Sequence, residues 1–336
     1  MQRKGISLRR VAYSATLARA SALTLGRRVL RGPRHPGWSL PFELAMTVMR
    51  TTLHADHEGA ALAVRKRVHP LTRSMLRKVG VHHEQLAGVR VEVHTPLGFR
   101  SGDPTLLYLH GGGYVTCSPA SHRDLIARVA LATGARCVAP DYRLAPEHPF
   151  PAALDDVIGV YRAVLATGVP PSALFLGGDS AGGGLALATM LRLRDAGDPL
   201  PRAAVLLSPW VDLSLGVQDL HGHGPHDYLN ARMLIETAPK YAGEVPLSHP
   251  LVSPIYADLY GLPPLLVQTG EWELFCQQNE RFVARARAAG LNVRHEVEPG
   301  MLHVFPAFAG VLPQGRAALR SLGQFVRSFS APPPGA

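Results

Sequence analysis

Apolar and polar positions change their period several times along the chain. Between residues 6 and 29 the apolar positions (Ile6, Leu8, Val11, Leu17, Leu23, Leu25, Val29) recur at near-helical spacing, and Pro33, Pro36, Gly37 and Pro41 then break the run. A second helical pattern covers 42 to about 80, with an interruption at Pro70. Residues 89–95 alternate, Val89, Val91 and Val93 against Arg90, Glu92 and His94, the signature of a half-buried antiparallel strand. From 105 onward the alternation gives way to short runs that are apolar on both faces: 105–109, 135–139, 173–176, 203–207 and 265–268. Helical patterns over 121–132, 152–167, 181–196 and 276–290 separate them, and a strand at 293–297 and a helix at 312–329 close the series. Strands buried on both faces and alternating with helices predict an α/β class: a mostly parallel, doubly wound central sheet flanked by helices.

These periods divide the chain into a basic amphipathic segment (1–34), a helical cap (35–87) and an α/β domain (88–330). The His- and Gly-rich stretch 213–246 interrupts the α/β alternation and reads as a second piece of the cap. The tail 331–336, with three consecutive prolines, reads as disordered. A chain of 336 residues, 46% hydrophobic, suits one large core with an appended cap.

The formal charge of +10 first suggests an anionic partner, but residues 1–42 carry nine Lys/Arg and no acid, leaving 26 basic against 25 acidic residues elsewhere. The body is therefore nearly neutral, and no nucleic-acid function follows. The basic segment fits a plain surface or cap helix, an organelle transit peptide, or a helix lying on a membrane surface. No apolar stretch reaches the roughly 18 residues that span a bilayer. Cys117, Cys137 and Cys276 have neither paired nor metal-type spacing, which favours a reducing, cytoplasmic setting. His54, Asp56, His57 and Glu58 do not share one helical face, His82-His83-Glu84 is not H-E-x-x-H, and the loop His221-Gly-His-Gly-Pro-His226-Asp227 lacks a ligand spacing, so no metal site is assigned.

Residues 174–188 carry the strongest chemical signal. A strand-length apolar run meets Gly178-Asp179-Ser180-Ala181-Gly182 and then an alanine-rich helical pattern, which is G-x-S-x-G in its strand–turn–helix setting. A seryl hydroxyl needs a base, an acid to orient that base, and donors for the oxyanion it creates. In a doubly wound sheet all of these sit at the carboxyl ends of strands. His110-Gly111-Gly112-Gly113-Tyr114 follows directly on the strand 105–109, and its bare N–H groups, with that of Ala181, suit the donor role.

At this point the chain resembles the hormone-sensitive-lipase-like branch of the α/β-hydrolases. The likeness rests on His110-Gly-Gly-Gly-Tyr114, Asp141-Tyr-Arg-Leu-Ala-Pro-Glu-His-Pro-Phe-Pro-Ala-Ala-Leu-Asp-Asp156, Gly178-Asp-Ser-Ala-Gly182, Ser208-Pro-Trp-Val-Asp212 and Ser253-Pro254, over roughly residues 88–330. It implies an α/β-hydrolase fold with an N-terminal helical cap, no cofactor, and hydrolysis of small carboxylic esters with short to medium acyl chains. Gly112, Gly113 and Ala181 fall on the family's oxyanion positions, and Ser180 on its nucleophile. His303 lies beyond the last strand, in a His-x-Phe pattern, as the chain order Ser, acid, His requires. The family's acid position holds Glu273 rather than the usual Asp; Glu271 is its competitor, and Asp258 precedes the strand at the wrong end. A second departure is Gly184, where the family commonly carries Asn.

Asp141, Tyr142, Arg143 and Glu147 are expected to brace the oxyanion loop through buried contacts, and Asp179 to bond the strained turn. Tyr114 and Trp210 are expected to wall the substrate pocket, with Asp212 beside them, and Cys117 to be a small buried residue. Lactone hydrolysis, or acetyl and amide hydrolysis on the same triad, are the alternatives within enzymes. A non-catalytic ligand receptor is the alternative outside them, and His303 argues against it.

Overall fold

The computed structural model describes residues 2–55, 65, 68, 71–216 and 226–330, the side chains of 2–14, 54, 55 and 330 excepted. Eight strands form one sheet in the order β1-β2-β4-β3-β5-β6-β7-β8. They are β1 (Val79–Leu86), β2 (Val89–Pro96), β3 (Thr105–Leu109), β4 (Arg136–Pro140), β5 (Leu174–Asp179), β6 (Ala204–Leu207), β7 (Leu265–Gly270) and β8 (Val293–Glu298). β1 pairs antiparallel with β2 and β2 antiparallel with β4, and every other ladder is parallel.

The all-apolar runs alternate between two cores. Leu107 and Leu109 of β3, Leu174 and Leu176 of β5 and Leu206 of β6 pack into one cluster. Leu106, Tyr108, Phe175, Val205 and Leu207 point the other way into a second cluster. A two-residue period with both faces covered needs no polar side. The helices that cover them, in chain order after α1 (Gln2–Arg31), α2 (Leu40–Ala55) and α3 (Arg73–Leu76), are α4 (Pro119–Thr133), α5 (Ala152–Ala166), α6 (Ala181–Asp195), α7 (Ala231–Ala242), α8 (Cys276–Ala288) and α9 (Pro313–Ser330).

One expectation fails. Residues 79–86, assigned by their pattern to a helical cap reaching 87, form the edge strand β1 instead. Val79 and Val81 join a small apolar cluster with Leu71, Met75 and Ala127, and Leu86 packs on the main core. The polar run from His82 to Gln85 faces solvent, so a strand exposed on most of its length shows no hydrophobic alternation to read.

Before the sheet, α2 lies on the loop that follows β8. Trp38, Phe42 and Met46 pack against Met301, Leu302 and Phe305, and Trp38 Nε1 donates to the Gly300 carbonyl at 2.9 Å. α1 is clamped to α2 through buried Glu43, which accepts from Arg27 at 2.6 Å and from Arg28 at 2.5 Å. Among the described residues no helix is long and apolar enough to cross a membrane.

Candidate active site

Ser180 follows β5 directly and is the N-cap of α6, with φ 53° and ψ −122°. A non-glycine residue in that region stores roughly 1–3 kcal/mol of strain, which the surroundings must hold. They do so from both sides: the Ser180 N–H donates to Leu207 O at 2.9 Å, and its carbonyl accepts from Trp210 N–H at 2.9 Å. A Cβ at Gly178 would stand 2.6 Å from the Gly182 carbonyl, and one at Gly182 would stand 2.1 Å from Leu109 O. Both flanking glycines are thus dictated by backbone packed against backbone.

The loop after β3 lies against this corner. Gly112, Gly113 and Tyr114 have φ of 114°, 61° and 64°, and the Gly112 carbonyl closes a tight turn by accepting from Thr116 N–H at 3.0 Å. Among the described residues the Gly112 and Gly113 N–H groups donate to no other backbone group of the turns. Ala181 is the first residue of α6, so its N–H is one of the four a helix start leaves without an internal partner.

Tyr142 Oη donates to His110 O at 2.6 Å, and its ring stacks on the His110 ring at 4.2 Å. Burial, with the charge of neighbouring His122, pushes the His110 imidazole down to about 3. The ring is therefore neutral, and its Nδ1–H donates to Gly111 O at 2.7 Å. Tyr142 braces the loop as expected, Glu147 does so only from the surface through Arg65, and Arg143 does not. Arg143 pairs with Asp156 on the surface and Glu147 with Arg65, whose Nε also holds Val115 O at 2.6 Å. The sequence pattern marks 141–156 as a unit without saying which side chains turn inward.

Asp179 corrects another expectation. Its carboxylate lies against Gly111, where a Cβ would stand 2.2 Å from Oδ2, and accepts from Tyr108 Oη at 2.9 Å, with His122 Nε2 3.4 Å away. Burial pushes the Asp179 carboxyl up, but His122 and the Tyr108 hydrogen bond outweigh it and hold the group below its ordinary range. Burial likewise pushes His122 down, and the Asp179 charge and hydrogen bond reverse this and raise it. Cys117, at φ 72°, is a thiol whose ionisation burial and Asp179 push up to about 12, which disqualifies it as a nucleophile.

β6, β7 and β8, next to β5 in that order, deliver the remaining groups at the same sheet edge. Glu273 follows β7, His303 follows β8, and both are buried. Glu273 Oε1 lies 4.0 Å from His303 Nδ1, while Oε2 accepts from Gly270 N–H at 2.9 Å and from Ser208 Oγ at 2.6 Å. Ser208 Oγ in turn accepts from Val304 N–H at 3.0 Å. Glu271 instead is exposed and accepts from Gly300 N–H at 2.8 Å, and Asp258 lies exposed ahead of β7.

An aromatic row leads away from the imidazole. Phe275 meets His303 edge-on at 4.9 Å, Trp210 stacks on Phe275 at 5.7 Å, and Tyr114 lies 6.2 Å from Trp210 and stacks on Tyr241 at 3.6 Å. Asp212 stays off this row, buried, and accepts from Ser214 Oγ at 2.7 Å. A Cβ at Gly184 would stand 2.3 Å from Trp210 O and 2.7 Å from Tyr114 Oη, which explains a glycine there.

Sequence reasoning missed Ser208, Phe275, Tyr241 and Asp227. Asp227 is buried and accepts from Leu274 N–H at 3.0 Å, tying the segment before α7 to the loop of Glu273. Burial pushes its carboxyl up, partly offset by His303. Ser208 lay inside a family motif and Asp227 at the end of the His-rich loop, but neither stretch signalled these roles. Asp56, His57 and Glu58, the His54 side chain, and His221 and His223, to which no metal role was assigned, lie outside the described residues, as does the tail 331–336. Among the described residues no three His, Cys, Asp or Glu side chains group as metal ligands would.

The family profile described as the alpha/beta hydrolase fold matches residues 106–307. An acetyl-hydrolase of Streptomyces hygroscopicus is 44% identical over 68% of this chain and 77% of its own length. An esterase of Acinetobacter venetianus is 35% identical over 73% of this chain and 81% of its own. A crystal structure of an esterase from the bacterial hormone-sensitive lipase family superposes with a TM-score of 0.75 at 36% identity, covering 94% of this chain and 99% of that one. The elbow, the glycine loop and the loops after β7 and β8 thus stand in a chain that belongs to the α/β-hydrolase family, in its hormone-sensitive-lipase branch of carboxylic ester hydrolases.

Proposed function

We propose that Ser180, His303 and Glu273 form the triad of a carboxylesterase for esters of short to medium acyl chain. The observation that carries this reading is the buried Glu273 carboxylate facing His303 Nδ1 at 4.0 Å, on the loops one and two strands beyond the Ser208 corner next to the Ser180 elbow. Ser180 Oγ attacks the ester carbonyl carbon as its proton passes to His303 Nε2. Glu273 holds the imidazole in the right tautomer and stabilises the imidazolium. The N–H groups of Gly112, Gly113 and Ala181 take the oxyanion, each worth on the order of 3 kcal/mol in the transition state. The alcohol leaves with the proton from His303, and water, deprotonated by the same imidazole, cleaves the acyl-enzyme to the carboxylic acid. Tyr114, Trp210 and Phe275 wall the acyl side, and residues 35–55 and 226–246 serve as the cap.

The names of the relatives, an acetyl-hydrolase and an esterase, support short acyl groups. Turnover of p-nitrophenyl esters from acetyl to palmitoyl tests the reading, with activity expected to fall for the longest chains. Ser180→Ala should lower kcat by roughly 10⁴–10⁶. Undiminished hydrolysis by Ser180→Ala, or failure of a fluorophosphonate to label Ser180, overturns the assignment. Lactones and aryl amides in the same assay separate the alternative hydrolase activities.

A second reading concerns where the enzyme works. On α1, Leu23, Val29 and Leu30 are 64%, 85% and 84% exposed, in a segment that has basic residues and no acidic one. This favours contact with an anionic membrane surface over a freely cytoplasmic enzyme. Co-sedimentation with phosphatidylserine vesicles should be lost on deleting residues 1–34; equal sedimentation of both forms removes this reading.

A further inference from the structure

Asp227 is a buried carboxylate for which the triad alone has no use, carried on the segment that leads into α7. Its Oδ1 accepts from Tyr228 N–H at 2.7 Å and its Oδ2 from Leu274 N–H at 3.0 Å. Those two bonds bear on His303. Tyr228, and Phe275 next to Leu274, are rings packed on the imidazole, at 5.9 Å and 57° and at 4.9 Å and 86°. One carboxylate therefore ties together two walls of the slot that holds His303. Glu273 Oε1, at 4.0 Å from Nδ1, is beyond hydrogen-bond length, so the slot and not that contact orients the ring in this structure. Asp227 also bears on the charge of the ring. Burial disfavours the charged form of Asp227, His303 and then the Leu274 N–H favour it, and Glu273 opposes it. Coupling between two sites is reciprocal, so a charged Asp227 favours an imidazolium at His303 to the same degree. The other titratable groups that face Asp227, among the described residues, are Arg50 of α2 and the adjacent Tyr228, whose phenol burial keeps neutral.

We infer that Asp227 is a positioning residue of the ester hydrolysis: it fixes the slot in which His303 sits and supplies a second negative charge for the imidazolium that forms when Ser180 attacks. This role rests on the reading of Ser180, Glu273 and His303 as the triad, and carries it beyond the loops of the sheet to the segment before α7. Asp227 takes no proton in the reaction. It acts on the acylation step through the ring walls and the field at His303, and the bound ester does not touch it.

Asp227→Asn keeps the size of the side chain and one acceptor but removes the charge. On p-nitrophenyl butyrate its kcat should fall about tenfold, with KM within about twofold of the parent, because the lost charge acts on the transition state and not on bound ester. The acid limb of its kcat/KM profile should move to lower pH by about one unit. Asp227→Glu, which keeps the charge, should leave that limb where the parent has it. Parent-like kcat and limb in Asp227→Asn overturn the inference. A fall in kcat with the limb unmoved overturns it too, since a purely structural anchor gives that result. Unfolding midpoints show whether the variants fold. If Asp227→Asn does not, Asp227→Ser takes its place with the same expectations, because a hydroxyl accepts without presenting an amide N–H to the Tyr228 and Leu274 donors. A parent that neither turns over the ester nor labels at Ser180 with a fluorophosphonate overturns the triad reading and this role with it. A parent that does both, beside an indifferent Asp227→Asn, overturns this role alone.

Discussion

Ser208 Oγ donates to Glu273 Oε2 at 2.6 Å while accepting from the Val304 N–H at 3.0 Å, so one hydroxyl fixes both the Glu273 carboxylate and the backbone next to His303. Ser208 holds φ at 47°, a conformation costing on the order of 1–3 kcal/mol that a plain turn would not retain. Ser208→Ala leaves a buried carboxylate and a buried amide each one partner short. We expect a stability loss of about 1–3 kcal/mol and a roughly 10–100-fold fall in kcat with KM little changed. Unfolding midpoints and steady-state kinetics on p-nitrophenyl butyrate check both, and an unchanged kcat refutes the positioning role.

The two glutamates after β7 make separable predictions. Glu273 is buried and faces the imidazole, whereas Glu271 is exposed and caps the Gly300 N–H. Glu273→Gln keeps the shape but offers His303 an amide, and kcat should fall roughly 10³–10⁴-fold. Glu271→Gln keeps an acceptor for Gly300 and should stay within about threefold of the parent in kcat, since an exposed hydrogen bond is worth only about 1 kcal/mol. The reverse ranking would hand the acid role to Glu271.

Much of this arrangement was legible from residue order. Buried strands announced themselves because both faces are covered, Ser180 and His303 stood out as candidates from motif, chain order and strand end, and Glu273 came only from the family's acid position. β1 escaped because His82 to Gln85 carry no apolar alternation on an exposed edge. Ser208, Phe275 and Tyr241 gained their places only when β6, β7 and the cap came together, contacts that no local pattern encodes. The direction in which Asp179 turns was hidden for the same reason: its partners, Tyr108 and His122, come from β3 and α4.

Gly184 is where the chain departs from the common Asn, and its surroundings forbid the change back. A Cβ there meets the Trp210 carbonyl at 2.3 Å and Tyr114 Oη at 2.7 Å. Gly184→Asn should destabilise the fold by about 1–3 kcal/mol or more through overpacking. Pairing it with Tyr114→Phe should recover only part of the loss, because the Trp210 carbonyl is backbone and cannot withdraw. Denaturant midpoints of the three variants check this; full recovery in the double variant would locate the clash at Tyr114 alone.

The Asp179–His122 pair beneath the elbow gives a pH-dependent prediction. His122 is raised above its ordinary value, so its contribution to stability is complete below the unfolded pKa near 6.5 and is lost as pH rises through the raised folded value. Asp179 is lowered, so its contribution is complete above the unfolded value near 4 and is lost as pH falls through the folded one. The pair therefore stabilises the fold most between about pH 4 and 6.5. His122→Gln removes the cation and leaves Asp179 charged and buried with only neutral donors, Tyr108 among them. The stability gap between parent and His122→Gln should be widest near pH 6 and should narrow toward pH 9, where the parent loses its imidazolium as well. Chemical denaturation across that range measures the gap. A gap that stays constant with pH would mean that His122 contributes packing rather than charge.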